Sequence, residues 1–341
     1  MNLDKIIISG KGIFIFSDPA GANSILAIID YLIALKKING KDFMVFTNDT
    51  GIYGAEYKSV VKEIIFSKEK ALKILEDFKP DYIFTATSTN DFEHLWRSYL
   101  INKVKVYSFV DHWTNFKKRF HFSGKTVFGD EIWVIDHIAK KQAIREGISD
   151  SIIKIKGNPY YQKVKKFKPK VSKDYFFKKY NLDLNKQIIL FISDDLKRSF
   201  PKRKNGSCYL GYDEYTTLAN ILESFKKIEK NNILSNFQFI IKLHPRSEIN
   251  KFKSLIKDYS LKSINIICIK NCSALTINFY SRYVLGMFSN MVIESLLMKK
   301  QTLRILIGTN IIDPLDSLNM ENNLVTKKSL LTKELKKLIF N

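Results

Sequence analysis

A chain of 341 residues with 45% hydrophobic and 13% aromatic residues carries core material for two domains, which excludes a disordered or fibrous polypeptide. No apolar run reaches the ~18 residues of a membrane span. The start, MNLDKIIISGKGIFIF, holds an acid and breaks at Ser9, Gly10 and Gly12, unlike a secretory leader.

The formal charge of +22 fits a surface facing an anionic membrane, or plain enrichment in lysines scattered in ones and twos. Without zinc-finger spacing or RNP-like aromatics, nucleic acid is not an expected partner. The three cysteines, Cys208, Cys268 and Cys272, include no CxxC pair and are read as reduced and structural. The expected location is the cytoplasm, peripheral at the inner membrane if the basic surface is used.

In the first half, strands are predicted over 13–17, 43–47, 63–66, 82–86, 104–110, 131–135 and 152–155. Most are near-continuous apolar runs, as in a parallel sheet covered on both faces. Helical patterns at 23–37, 68–77 and 137–146 alternate with them, and Gly147 stands where a C-cap glycine is expected. Residues 157–185, rich in lysine and interrupted by Gly and Pro, break that rhythm. Strands at 187–193, 237–243, 264–268, 283–288 and 302–306 then resume it, with helices at 212–230, 248–259, 273–281 and 290–299. The expected class is α/β, GT-B, with two Rossmann-like domains facing across a cleft. The boundaries are 1–163 for the amino-terminal domain, 164–185 for a linker and 186–327 for the nucleotide-binding domain. A final helix at 328–341 is expected to pack back on the amino-terminal domain.

In open α/β sheets ligands gather beyond the carboxyl ends of strands, so the residues that follow each strand carry the chemistry. Ser17-Asp18-Pro19-Ala20-Gly21-Ala22-Asn23 places a close-approach glycine, Gly21, at a helix start. Asp18 is there either a helix cap or a functional carboxylate. No GxGxxG accompanies it, so no dinucleotide is indicated. The polar loop Thr85-Ala86-Thr87-Ser88-Thr89-Asn90-Asp91 suits hydroxyl contacts. Asp111-His112-Trp113 pairs a carboxylate with an imidazole for acid–base work, with Trp113 able to stack on a sugar; the alternative is a core His with a packed Trp. Ser193-Asp194-Asp195, followed by Lys197-Arg198 and Lys202-Arg203-Lys204, reads as a solvated loop.

The most specific signal is His244-Pro245-Arg246 directly after the apolar run of 239–243. Pro245 ends the ladder, and His244 and Arg246 can both donate to phosphate oxygens. Its partner is Gly286-Met287-Phe288-Ser289-Asn290-Met291-Val292-Ile293-Glu294. There Ser289 caps a helix or binds phosphate, and Glu294 is a first-turn acid or a holder of ribose hydroxyls.

In order and spacing, KLHPR and FSNMVIES resemble the nucleotide-binding halves of GT-B families that build bacterial surface polysaccharides. These are the sialyl- and polysialyltransferases, Kdo transferases and CDP-glycerol glycerophosphotransferases. Residues 130–134 with Gly157-Asn158-Pro159 resemble the end of the first domain in those families and in UDP-GlcNAc 2-epimerases. The resemblance implies that His244 contacts the donor phosphate and acts on the leaving nucleotide. Ser289 and Asn290 would hold that phosphate and Glu294 the ribose. A base, Asp18 first and Asp111 second, would deprotonate an acceptor hydroxyl.

The chain lacks the Asp/Glu-Asp-Gly motif of the sialyltransferases. The implied activity is metal-independent glycosyl transfer from a nucleotide-activated sugar, with a CMP-activated nonulosonate preferred, to a glycan or lipid-linked acceptor. No cofactor is called for. The alternatives are CDP-alcohol phosphotransfer, nucleotide-sugar 2-epimerisation and a non-catalytic assembly subunit.

Overall fold

A computed structural model describes residues 8–48, 61–88, 91–200, 202, 206–229, 233–311, 313, 315 and 323–340. The chain divides into two compact units, Met1–Lys163 and Val164–Asn341. Both are Rossmann-like.

The first unit runs β1 Gly12–Phe16, α1 Pro19–Ala34, β2 Phe43–Thr47, β3 Val61–Glu63, α2 Lys68–Phe78, β4 Tyr82–Thr85, α3 Phe92–Leu100, β5 Lys105–Val110 and α4 Phe116–Arg119. A small hairpin of β6 His121–Phe122 and β7 Lys125–Thr126 follows, then β8 Glu131–Val134, α5 His137–Arg145, β9 Ile153–Ile155 and α6 Pro159–Lys165. Its main sheet is parallel, in the order β3-β2-β1-β4-β5-β8-β9. All residues of β1 (GIFIF) and β4 (YIFT) are buried, which is why these runs are apolar without alternation. Ile13, Ile15, Phe46, Ile83 and Trp96 form one core, with Phe46 and Trp96 stacked at 5.7 Å. Gly147 follows α5 with φ +88°, the left-handed cap its position predicts.

The second unit runs α7 Lys173–Lys179, β10 Gln187–Ile192, α8 Leu196–Ser199, α9 Glu214–Ile228, β11 Phe237–Lys242, α10 Ile249–Tyr259 and β12 Asn265–Ile269. It continues with α11 Ala274–Tyr280, β13 Tyr283–Gly286, α12 Asn290–Leu297, β14 Gln301–Ile305, β15 Leu324–Val325 and α13 Lys328–Phe340. The sheet order is β12-β11-β10-β13-β14-β15, again parallel.

Two expectations are corrected here. The segment 164–185 is not merely a linker. Phe176, Phe177 and Leu182 are buried against Ile188, Leu190 and Val284, while Lys173, Lys178 and Lys179 stay exposed. The apolar face of the final helix packs within the second unit. Leu331, Leu335 and Ile339 enter the second unit's own core beside Leu222 and Phe225. Thr332 donates to Ser224 Oγ at 3.1 Å, and Lys328 pairs with Glu223 at 2.6 Å, fastening α13 to α9. No helix among the described residues is long and apolar enough to cross a membrane.

Candidate functional site

In the first unit the polar groups collect beyond the carboxyl ends of β1, β4 and β5. Asp18 is the N-cap of α1 and accepts from the Gly21 N–H at 2.6 Å. Gly21 is required by space, since a Cβ there would lie 2.8 Å from Ala86 Cβ. Burial raises the Asp18 carboxyl pKa against the pull of the Gly21 N–H and Arg119. The cap reading and the functional reading therefore meet in one residue.

Asp111 pairs with Arg119 at 3.6 Å. Burial nonetheless brings its pKa up to about 6, with Asp18 adding to the rise and Arg119 opposing it. Arg119 is itself oriented by the carbonyls of Thr87 at 2.7 Å and Thr114 at 3.3 Å. His112 is pushed down to about 3 by burial and then by Arg119, so it is neutral, with Nδ1 at 3.1 Å from Thr114 Oγ1. Trp113 is corrected as a sugar-stacking residue. It is buried, stacked on Tyr161 at 6.1 Å, and donates from Nε1 to Asp136 at 2.9 Å.

Beneath these lies a cluster that sequence reasoning missed. Glu93 is 1% exposed and its Oε2 accepts from Ser17 at 2.6 Å and Ser88 at 2.7 Å. Burial, then Asp18, raises its pKa. Arg97, also buried, donates to Thr85 Oγ1 and to the Ala86 carbonyl, each at 3.2 Å. Within the predicted polar loop, Thr85–Ser88 are thus structural partners; Thr89 and Asn90 lie outside the described residues.

In the second unit β11 delivers His244 to a turn closed by the Ser247 N–H on the His244 carbonyl at 2.9 Å, with Pro245 at its second position. The turn folds the Arg246 N–H back onto His244 Nδ1 at 3.2 Å. Nδ1 is therefore an acceptor and the neutral ring carries its proton on Nε2. Burial, followed by Arg246, drives the His244 pKa down to about 4, so at neutral pH it is an uncharged N–H donor.

Arg246 is half exposed and pairs through Nε with Asp195 at 3.0 Å; Arg198 reaches the same Oδ2 at 3.2 Å. Asp194 and Asp195 are each 9% exposed, which corrects the solvated-loop expectation. Arg203 and Lys204 of that stretch lie outside the described residues. Glu214, buried at the start of α9, accepts from the N–H groups of Leu196 at 3.0 Å and Lys197 at 3.2 Å and so fixes this turn.

Ser289 is the N-cap residue of α12, but its hydroxyl caps no N–H of the helix and lies against the Asp194 carboxyl instead. Asn290 opens the helix, with a lone Oδ1, and Glu294 is buried one turn on. The helix lies close to its strand because residue 286 is glycine: a Cβ there would meet Val292 Cγ2 at 2.6 Å. Arg304, fully buried and paired with Asp313, donates from Nε to the Met287 carbonyl at 3.0 Å and holds the turn before Ser289. Thus His244, Arg246, Ser289, Asn290 and Glu294 all follow the ends of β11 and β13, which flank β10. Asp194 and Glu214 join them; an acidic pair beside lysines gave no sign of their burial.

No protein-family model and no curated protein matches the sequence. The fold has clear relatives among solved structures. The UDP-GlcNAc 2-epimerase from Methanocaldococcus jannaschii aligns with TM-score 0.67 and 17% identity over 97% of this chain and 93% of that one. The enzyme from Neisseria meningitidis bound to UDP-GlcNAc aligns at 0.65 and 14%, over 97% and 91%. The UDP-N-acetylglucosamine 2-epimerase from Rickettsia bellii aligns at 0.64 and 15%, over 98% and 89%. At such identities the likeness defines the fold, the GT-B-like pair of Rossmann-like domains. These neighbours are 2-epimerases, not the sialyl- or Kdo transferases that the motifs first suggest.

Proposed function

We propose that the chain is a nucleotide-sugar enzyme whose second unit holds the diphosphate, and that its reaction is inversion at C2 of a UDP-activated sugar. The observation that carries this is a pair of donor groups beyond the ends of β11 and β13. His244 presents a neutral Nε2–H, and the first N–H groups of α12, beside the Ser289 hydroxyl, take no side-chain cap. A helix N-terminus with such donors suits phosphate oxygens. The fold, shared over nearly the whole chain with enzymes named as UDP-GlcNAc 2-epimerases, favours this reading over transfer.

The chemistry asks for a leaving-group site and an acid–base group. The C2–H of a sugar has no carbonyl beside it, so its proton leaves with least cost as the C1–O bond to the diphosphate breaks. The C2–H electrons form a C1=C2 bond, a carboxylate takes the proton, and the diphosphate departs with the C1–O pair. Return of a proton to the opposite face, with re-addition of the diphosphate, completes the inversion. His244 Nε2–H and Ser289 stabilise the charge on the departing diphosphate. Among the first unit's carboxyls, Asp111, with its pKa raised to about 6, is ionised yet basic at neutral pH. Asp18 is the second choice.

Incubation with UDP-GlcNAc in D2O, followed by NMR, tests this. The C2 epimer is expected, with solvent deuterium at C2. Loss of the sugar to an added acceptor, or turnover only of CMP-, CDP- or GDP-linked donors, would instead establish one of the transfer reactions. No turnover of any donor would leave a binding subunit.

A further inference from the structure

Asp194 differs from the other acids of the second unit. Continuing the register Ile192↔Lys242 by two residues brings it level with His244. Continuing Phe191↔Leu285 by three brings it level with Phe288, the residue before Ser289. It stands beyond β10, from which the sheet grows one way through β11 and β12 and the other way through β13 and β14. Ligands of open α/β sheets bind at such a switch point. Its side chain is 9% exposed; the Ser289 hydroxyl and the Phe288 N–H reach it, yet its Oδ2 has no hydrogen-bond partner. The neighbouring acids are engaged: Asp195 by Arg246 and Arg198, Glu214 by two backbone N–H groups.

We infer that Asp194 contacts the nucleotide's diphosphate as a neutral acid, donating its carboxyl proton to a phosphate oxygen, so that nucleotide binding takes up one proton. This rests on the placement of the diphosphate proposed above. The reason is a count of donors. Phosphate oxygens only accept, and an ionised carboxylate only accepts, so the two repel unless a proton lies between them. The other groups around the site, the His244 Nε2–H, the Ser289 hydroxyl and the α12 N–H groups, are already donors.

Facing Asp194 are Glu214 and Tyr212 from the start of α9 and the segment before it, and Asp195 from its own turn; of these the two carboxylates disfavour its charge, while the Ser289 hydroxyl and Phe288 N–H from the turn before α12 favour it. The guanidinium groups of Arg246 and Arg198 are turned to Asp195. Burial is the main cause that brings the Asp194 pKa up to about 7; Ser289 and Phe288 oppose it, while Glu214 and Asp195 add to it. An arriving diphosphate raises it further.

Calorimetric titration of the full chain with UDP-GlcNAc, in buffers of different ionisation enthalpy, counts the protons. The pyrophosphate diester of this probe has no group that titrates near neutrality. Uptake approaching one proton is expected at about pH 8, with Kd rising about tenfold per pH unit above about 7. Asp194→Asn, which keeps a donor but cannot ionise, is expected to bind with a pH-independent Kd and no uptake. A wild-type Kd that is flat across this range with no proton taken up overturns the inference, whatever the variant does. So does a folded Asp194→Asn protein that keeps the wild-type pH slope. Failure of wild type to bind the probe at any pH strikes the nucleotide placement itself, and this inference with it.

Discussion

His244, half-buried, and Asp111, buried, are both shifted, yet the same physical cause gives them opposite chemical characters. Burial disfavours charge, so the imidazole stays neutral down to about 4 while the carboxyl holds its proton up to about 6. In a neutral solution His244 is then a fixed donor and adds no inflection to the activity, whereas Asp111 sits just above its own titration. The sign follows. A base must be ionised, so turnover should fall as pH drops through about 6 and hold steady above it. Asp111→Asn should remove that acid limb together with most of the activity, about 10²–10⁴-fold. A pH–rate profile of wild type and variant checks both. A limb that survives in the variant would reassign the base to Asp18. The identities of His244, Arg246, Ser289 and Asp111 are legible in the sequence because each directly follows an apolar strand. Their ionisation states are not, since these depend on burial and on partners distant in the chain, such as Arg119.

The strands are the most legible elements, because burial on both faces leaves no room for polar alternation. The helix α3 is not. Its sequence, FEHLWRSYL, buries Glu93, His94 and Arg97 alongside Phe92 and Trp96, so the apolar period that marks a helix is interrupted on the face that packs. The lysines of residues 164–185 hide Phe176 and Phe177 in the same way.

Glycine is the other element-scale signal, and here spacing decides. Gly21 has Ala86 Cβ in the way of any side chain, while Gly40 has nothing within 4 Å. Gly21→Ala should therefore cost about 1–3 kcal/mol, because α1 must lift from β4. Gly40→Ala should change stability by less than about 0.5 kcal/mol. Denaturant melts of the two variants measure the difference, and equal midpoints would contradict the close packing at the start of α1.

At the scale of the molecule, the two Rossmann-like units carry different chemistry. The first concentrates carboxyl groups of raised pKa around Asp18, Glu93 and Asp111, tempered by Arg97 and Arg119. The second concentrates N–H and O–H donors around His244 and Ser289. The net charge of +22 favours the capture of any anionic substrate without selecting one. Fold alone hosts many activities, so the reading stands on these sites. The most direct measurement is a crystal structure of the chain with UDP-GlcNAc. The diphosphate is expected against the first turn of α12, within hydrogen-bonding distance of Ser289 Oγ and His244 Nε2. A nucleotide bound elsewhere, with those two atoms still lacking a ligand, would contradict this placement.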